Sequence, residues 1–458
     1  MTPLLKEIDL LSRMPERFGQ VIQKIYHTLT SAGFECFLVG GTVRDLIYGK
    51  KIHDLDVTTN ARPEDIKKLF PRHVPLGEKF GTILTLHSGI NVEITTYRSE
   101  SLYSDGRHPD SVLWGKSAYE DVQRRDFTIN GLLFDPGKKT IIDYIGGLGD
   151  LDNRILRTIG DARDRFREDG LRPIRGCRFA ASLELRMDSG IIPAVNQNRE
   201  VIAKVAPERV GDEIQKAMNA TRFGTFLDCM RQTGILRIFF PELEQIYLSW
   251  PSFLENIRNI PGKSLVYFYS LLYYHEYAAN GIPYPDIKKF LSRHKTSAFV
   301  SKTVELILKN PPEEKWMEFI GDNSPEHLTM DTDMDLLLKK NMVLMESKEG
   351  RIHVHFWLRY YPSIFPLDLP EDKRGITLKN YFKMVLQKYK VIKKRKEPYL
   401  MKHLALDGND LRMQGWEGKE IGIILQKALD IVMRYPEKND TEFLLQYARN
   451  NFQAKKSR

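Results

Sequence analysis

Over the first third of the chain the apolar positions fall in short β-branched runs, and from about residue 161 they recur with helical spacing. Residues 34–41, 54–59, 80–87, 91–98 and 140–145 are short, rich in β-branched side chains and bounded by turn residues, which predicts strands. Residues 63–70 and 116–125 carry helical patterns between them. The fold class predicted is therefore α+β: a mixed β-sheet with helices first, then a mostly α-helical remainder. Loops in that remainder are marked by Pro207, Pro241, Pro251, Pro261 and Pro311. The segment 351–359, RIHVHFWLR, alternates like a strand and fits a helix equally well. No internal repeat or low-complexity tract breaks the pattern.

Composition narrows the class without choosing a function. A chain of 458 residues can bury several cores, and 42% hydrophobic with 28% charged residues is ordinary for a globular protein. The net charge of +9 favours an anionic partner, with RNA, DNA and a membrane surface all open. No run approaches the roughly 20 apolar residues of a membrane span, and the start lacks the apolar core of a signal peptide. The expected address is the cytoplasm. Cys36, Cys177 and Cys229 are too scattered for a disulfide framework or a zinc knuckle, and read as small buried residues.

Chemistry concentrates in GGTVRDLIYGKKIHDLD, residues 40–56. Side chains alternate along a strand, so Asp54 and Asp56 share one face about 7 Å apart while Leu55 and Val57 face the core. Glu93, between Val92 and Ile94, repeats that pattern, and three carboxylates could converge. Close like charges are relieved by a divalent cation, and oxygen ligands with open positions suit Mg²⁺. Gly40 and Gly41 let backbone N–H groups approach a triphosphate at the start of the next helix, and Arg44 adds charge one turn in. D-x-D alone is a weak signal. It recurs at Asp150 and Asp152, and the run Asp331, Asp333, Asp335 fails as a calcium loop because Leu336 and Met342 stand where glycine and glutamate are needed.

Gly40-Gly41 with Val43-Arg44-Asp45, then Asp54-Leu55-Asp56, RRDFTIN at 124–130 and REDGLRPIRGCRFA at 167–180 follow one another in an order that resembles the class II tRNA nucleotidyltransferase and bacterial poly(A) polymerase family. That family lies within the DNA polymerase beta nucleotidyltransferase superfamily. The resemblance covers about residues 30–220 closely. It implies a nucleotidyltransferase head (1–150), a helical neck that binds the base (151–225), a helical body (226–340) and a helical tail that binds tRNA (341–458). It implies Mg²⁺ at Asp54, Asp56 and Glu93, triphosphate contacts at Arg124 and Arg125, ribose contacts at Asp126 and Asn130, and further nucleotide contacts at Arg175 and Arg178. Gly149-Asp150-Leu151 and Arg154 resemble the hinge between head and neck, and Glu208-Arg209-Val210 with Glu213 the support of the neck.

The E-D-x-x-R of the family falls on Glu168, Asp169 and Arg172. Positions i and i+3 share a helix face, which would set an acceptor beside a donor. Cytosine and adenine each offer an exocyclic amine beside a ring-nitrogen acceptor and complement that pair. Uracil and guanine reverse the order and would leave buried polar groups unpaired, at about 1 to 3 kcal/mol each. The alternative is an ordinary surface ion pair. Pro173 and Gly176 depart from the pattern, and Pro173 is expected to kink the neck helix.

Residues 97–112, polar with Gly106 and Pro109, resemble the flexible loop of enzymes that add the terminal A. There Tyr103, Arg107 and His108 either contact nucleotide and primer or pack. Residues 404–439, with Gly408, Gly415 and Gly418, resemble the C-terminal segment of CCA-adding and A-adding enzymes and offer backbone N–H groups to tRNA phosphates. The basic run KYKVIKKRK at 388–396 either follows a phosphate backbone or is a solvated face. His353 and His355 would share a face of a strand, and either pack or bind a metal. The reading that results is Mg²⁺-dependent transfer of CMP and AMP from CTP and ATP to a tRNA 3′ end. An A-adding enzyme, a poly(A) polymerase and a non-catalytic RNA-binding protein stand as alternatives.

Overall fold

The computed structural model describes residues 2–74, 81–99, 113–220, 222–249, 251–260, 264–280, 287–309 and 394–452, with isolated positions at 348, 352, 356 and 390–392. Tyr103, Arg107, His108, His353, His355 and most of the segment 351–359 lie outside the described residues. The chain divides into two compact units, Met1–Ser264 with Arg293–Lys295, and Leu265–Ser292 with Thr296–Arg458.

The first unit is built on a sheet of eight strands: β1 (Leu4–Glu7), β2 (Phe37–Val39), β3 (Leu55–Thr59), β4 (His73–Val74), β5 (Thr82–His87), β6 (Ile90–Thr96), β7 (Leu133–Asp135) and β8 (Thr140–Asp143). Their order is β1-β8-β7-β2-β3-β6-β5-β4. Only the β3–β6 contact in this sheet is parallel, so the sheet is mixed as predicted. Leu55, Val57, Val92 and Ile94 are all buried, which fixes the pairing of Leu55 with Val92 and of Val57 with Ile94. The residues between them, Asp56 and Glu93, are thereby register partners on the opposite face.

Helices α1 (Glu16–Ser31), α2 (Gly40–Ile47) and α3 (Pro63–Leu69) accompany the first strands, and α4 (Ala118–Gln123) and α5 (Gly147–Asp152) the last. The run 34–41 is thus divided: the strand stops at Val39 and the helix begins at Gly40, whose φ of +66° favours glycine. After these come α6 (Ala162–Glu168), α7 (Arg172–Leu183), α8 (Ile191–Gln197), α9 (Arg199–Ala203) and α10 (Pro207–Asn219).

Pro173 does not kink a helix, contrary to expectation. The chain breaks between α6 and α7, and Pro173 sits in the first turn of α7, where its missing N–H has no intrahelical partner to lose. The break is packed tightly. A Cβ at Gly170 would stand 2.8 Å from the Val201 carbonyl oxygen of α9, and one at Gly176 would stand 3.0 Å from the buried ring of Phe127. Small residues at these two points let α6 and α7 close on their neighbours.

In the second unit, the helices Gly408–Met413, Lys419–Arg434 and Thr441–Asn451 pack around Leu411, Trp416, Ile424, Leu444 and Ala448. In the basic run, Lys390, Lys394, Arg395 and Lys396 are exposed, while Ile392 is buried with Tyr399, Leu429 and Met433. No described helix is long and apolar enough to cross a membrane.

Two glycine substitutions test this packing in opposite directions. Gly170→Ala forces backbone against backbone and is expected to destabilise by about 1 to 3 kcal/mol. Gly19→Ala, inside α1 with open space around its Cβ, should stabilise by roughly 0.5 to 1 kcal/mol. Denaturant midpoints of the first unit's transition measure both, and a neutral Gly170→Ala would show that the α6–α7 break can move.

Candidate active site

The glycine pair and the strand acids meet at the start of α2. A Cβ on Gly40 would lie 3.5 Å from Asp56 Oδ2 and 3.6 Å from Arg125 Nη1, and one on Gly41 would lie 3.6 Å from both Asp56 Oδ2 and Arg44 Nη2. The two glycines therefore leave the space over the Asp56 carboxylate clear. Thr42 fastens this helix start to β3: its Oγ1 accepts from the Asp56 backbone N–H at 2.9 Å and donates to the Asp54 carbonyl at 3.4 Å. No side chain caps the N-terminus of α2.

Asp54 is exposed just ahead of β3, Asp56 is half-buried within it, and Glu93 is exposed on β6 beside it. Burial raises the Asp56 pKa, with Arg125 opposing and Asp54 adding to the rise. Burial also raises that of Glu93, followed by the charges of Asp56 and Asp54. The three acids therefore sense one another as like charges. Among the described residues no three His, Cys, Asp or Glu side chains form a ready-made metal cage. An all-oxygen donor set, with the pKa values of Asp56 and Glu93 raised and a clear approach over the glycines, fits a hard divalent cation.

Arg124 and Arg125 are oriented by a residue that the sequence reading passed over. The Asp121 carboxylate, fully buried, accepts from Arg124 Nε and Nη2 at 3.0 and 2.6 Å on Oδ1, and from Arg125 Nε and Nη2 at 3.2 and 2.7 Å on Oδ2. It also accepts from the Arg98 backbone N–H and from Thr58 Oγ1. Burial would raise its pKa, but Arg125 and Arg124 hold it well below the usual carboxylate range. A signal was present, since Asp121 precedes the two arginines by three and four positions at the C-terminal end of α4, the ion-pair spacings.

Asp126, Asn130, Arg44 and Arg175 form a second network. Asp126 accepts from Phe127 N–H, from Asn130 Nδ2 at 3.0 Å and from Arg175 Nε and Nη2 at 3.0 and 2.8 Å. Asn130 Oδ1 accepts from Arg44 Nη1 at 2.5 Å. The four acceptor positions of the Asp126 carboxylate are filled, so a ribose hydroxyl could donate to it only by displacing one of these donors. Glu213, also buried, accepts from Arg178 at 2.5 Å and Lys216 at 3.1 Å and lies 3.9 Å from Arg175. The guanidinium carbons of Arg44, Arg175 and Arg178 stand 5.1, 5.6 and 4.2 Å from the centre of the Phe179 ring.

Asp169 and Arg172 do not share a helix face. Asp169 is extended at the break and Arg172 opens α7, so the i, i+3 rule does not govern them. Asp169 accepts from Arg209 Nη2 at 3.0 Å and from the Leu171 N–H. Arg172 instead donates to Glu168 at 2.5 Å, to the Arg165 carbonyl at 3.0 Å and to the Arg124 carbonyl at 3.1 Å. The support expected from Arg209 and Glu213 is thus visible as two ion pairs, one to the break and one to α7.

In α5, Asp150 accepts from Thr128 Oγ1 at 2.7 Å and pairs with Arg157. In the tail, the Asp407 carboxylate already accepts the N–H groups of Asn409 and Asp410 that Gly408 was expected to expose. A cavity of about 630 Å³, bordered by Tyr119, Tyr144, Arg157 and Arg163, contains none of the site residues expected from the sequence.

Over residues 36–157 the chain matches the family described as "Poly A polymerase head domain", and over residues 185–247 the one described as "Probable RNA and SrmB- binding site of polymerase A". It is 35% identical over 301 residues to a CCA-adding enzyme of Streptococcus mutans serotype c, spanning 65% of this chain and 72% of that protein. It is 43% identical over 225 residues to a CCA-adding enzyme of Levilactobacillus brevis, spanning 49% and 56%. The solved structure of a Bacillus stearothermophilus CCA-adding enzyme in complex with CTP matches with a TM-score of 0.67 at 25% identity, covering 95% of this chain and 99% of that one. A Thermotoga maritima CCA-adding enzyme complexed with tRNA shares the fold at a TM-score of 0.55 and 21% identity, covering 98% and 99%.

The acid network carries a signed pH dependence. Burial opposes ionisation of Asp126, but Arg175 and the hydrogen bonds lower its pKa to about 2 from an ordinary 3.8. A depressed carboxyl stabilises above the ordinary value and loses that contribution as pH falls through the lowered one. Stability should therefore drop by roughly 2 kcal/mol between about pH 4 and pH 2. Asp126→Asn should flatten that limb in acid unfolding titrations, and an unchanged limb would remove Asp126 from the account.

Proposed function

Because the chain belongs to the class II tRNA nucleotidyltransferase family, we propose that its residues 1–150 act as the catalytic head, 151–225 as the base-binding neck, and 226–340 and 341–458 as body and tRNA-binding tail. The protein is an enzyme that adds CMP and AMP from CTP and ATP to the tRNA 3′ end without a nucleic-acid template, releasing pyrophosphate. Its cellular setting in this reading is the cytoplasm. The observation that carries the site assignment is the pairing of Asp56 with Glu93 beneath the glycine pair.

In this reading Asp54, Asp56 and Glu93 are the ligands of Mg²⁺. The ion, when bound, supplies charge that favours the attacking alkoxide and the departing pyrophosphate. Gly40 and Gly41 admit the triphosphate close to the backbone N–H groups of α2, and Arg125 approaches the same space. Arg44 and Asn130 brace that helix against the neck through Asp126 and Arg175. Arg178 reinforces the neck through Glu213 and the ring of Phe179.

Asp169 and Arg172 read the base from the two ends of the α6–α7 break. Arg209 fixes the direction of the Asp169 carboxylate, and the Arg124 carbonyl helps to fix Arg172. Acceptor and donor then complement cytosine and adenine, while uracil and guanine leave them unpaired.

A tRNA lacking CCA, supplied with CTP alone, ATP alone and both, tests the activity, and failure to incorporate C from CTP would leave A addition or poly(A) synthesis. Asp56→Ala should abolish incorporation while tRNA binding persists, and undiminished turnover would refute the ligand assignment. Asp169→Ala should relax discrimination against UTP and GTP more than it slows incorporation of C, with single-nucleotide incorporation rates as the readout. Protons compete with the cation for carboxylates whose pKa values are raised, so activity should fall with acidity from above the ordinary carboxyl range. Added Mg²⁺ should move that acid limb to lower pH, and a limb insensitive to Mg²⁺ would contradict metal binding there.

A further inference from the structure

The Asp121 carboxylate divides its two oxygens with a regularity that ion pairing alone does not require. Oδ1 takes Arg124 and the backbone N–H of Arg98, which follows β6, the strand of Glu93. Oδ2 takes Arg125 and the hydroxyl of Thr58 in β3, the strand of Asp56. Each oxygen thus ties one arginine to one of the two strands that carry the acidic residues. We propose that Asp121 is a positioning residue that sets both arginines in register with the carboxylates, so that nucleotides are held by their β and γ phosphates.

The pairing geometry supports this. Asp121 engages Nε and Nη2 of each guanidinium, the side-on mode that fixes the plane of the group and turns its opposite edge away from the acid. For Arg125 that edge leads to the glycine pair, where Nη1 stands 3.6 Å from the position a Cβ of Gly40 would take. Two adjacent cations without an acid between them would repel and swing apart, and a flexible pair loses orientation that binding must restore. One buried carboxylate with two guanidiniums leaves a single net positive charge, suited to a polyphosphate and too small to trap it. Asp121 itself has no exposed surface and touches neither nucleotide nor cation, so its effect is transmitted through the arginines.

The proposal rests on the triphosphate role of Arg124 and Arg125, and the test separates the two. Equilibrium binding of CTP, CDP and CMP to the full chain is measured in Mg²⁺ for the wild type, Asp121→Asn, Asp121→Glu and the double variant Arg124→Ala/Arg125→Ala, alongside thermal melting. Asp121→Asn should weaken CTP by about tenfold or more while CMP changes less than about twofold, so that the preference for CTP over CMP collapses. Asp121→Glu keeps the charge but displaces it by one methylene, and should lose part of that preference with little change in melting. If Asp121→Asn fails to fold, Asp121→Glu decides on the same ratio. A merely structural role would lower the melting temperature and the active fraction and leave the CTP-to-CMP ratio intact, which would overturn the proposal. If the double arginine variant keeps the ratio, the triphosphate reading itself is wrong. If it loses the ratio and both Asp121 variants keep it, only the positioning role is.

Discussion

In the parallel pairing of β3 with β6, four apolar side chains and two acids have one arrangement that buries the first and joins the second. Leu55, Val57, Val92 and Ile94 must all face the core, and Asp56 then stands opposite Glu93. A slip of either strand by one residue would expose its two buried apolar side chains and turn its carboxylate into the core. The apolar residues set the register, and the acidic site follows from it. Thr42, bonded to both Asp54 and Asp56, hangs α2 on the same strand, so the glycine pair inherits its place from the same register.

From that point outward the molecule is organised by buried charge. Arg44, Asn130, Asp126, Arg175, Glu213 and Arg178 follow one another from α2 to α10, each hydrogen-bonded or ion-paired to the next. Buried ion pairs add little stability over apolar packing, but losing one partner leaves the other uncompensated. A continuous chain of this kind therefore specifies one relative placement of α2, α7 and α10 within the first unit. Phe179 sits among three of its guanidiniums and supplies the packing surface against which they align.

The sequence made the centre of the site legible and its supports less so. Alternation around Asp56 and Glu93 announced two acids on strand faces, and Gly40-Gly41 announced a close backbone approach, because these are local properties. Parallel pairing of β3 and β6 is a long-range property with no local mark. The E-D-x-x-R spacing suggested one helix face, and the break at Asp169 was read as a kink, although Pro173 lacks the N–H that would have bonded the Asp169 carbonyl and so starts a new helix instead. Strand β1, with all four residues exposed, offered no pattern to read. Asp121 stood at ion-pair spacing from both arginines but outside the recognised motif, and only its burial reveals how much depends on it.

Under the proposed function, Arg124 belongs to both ends of the nucleotide site at once. Its side chain is held by Asp121, while its backbone carbonyl receives Arg172 from the start of α7. A rotation of that one peptide group is felt at the base and at the phosphates together. In the proposed reading, recognition of the base and recognition of the phosphates are thereby coupled through one residue. A wrong base would loosen the triphosphate as well as its own pairing, and selectivity would then exceed what the base contacts alone provide.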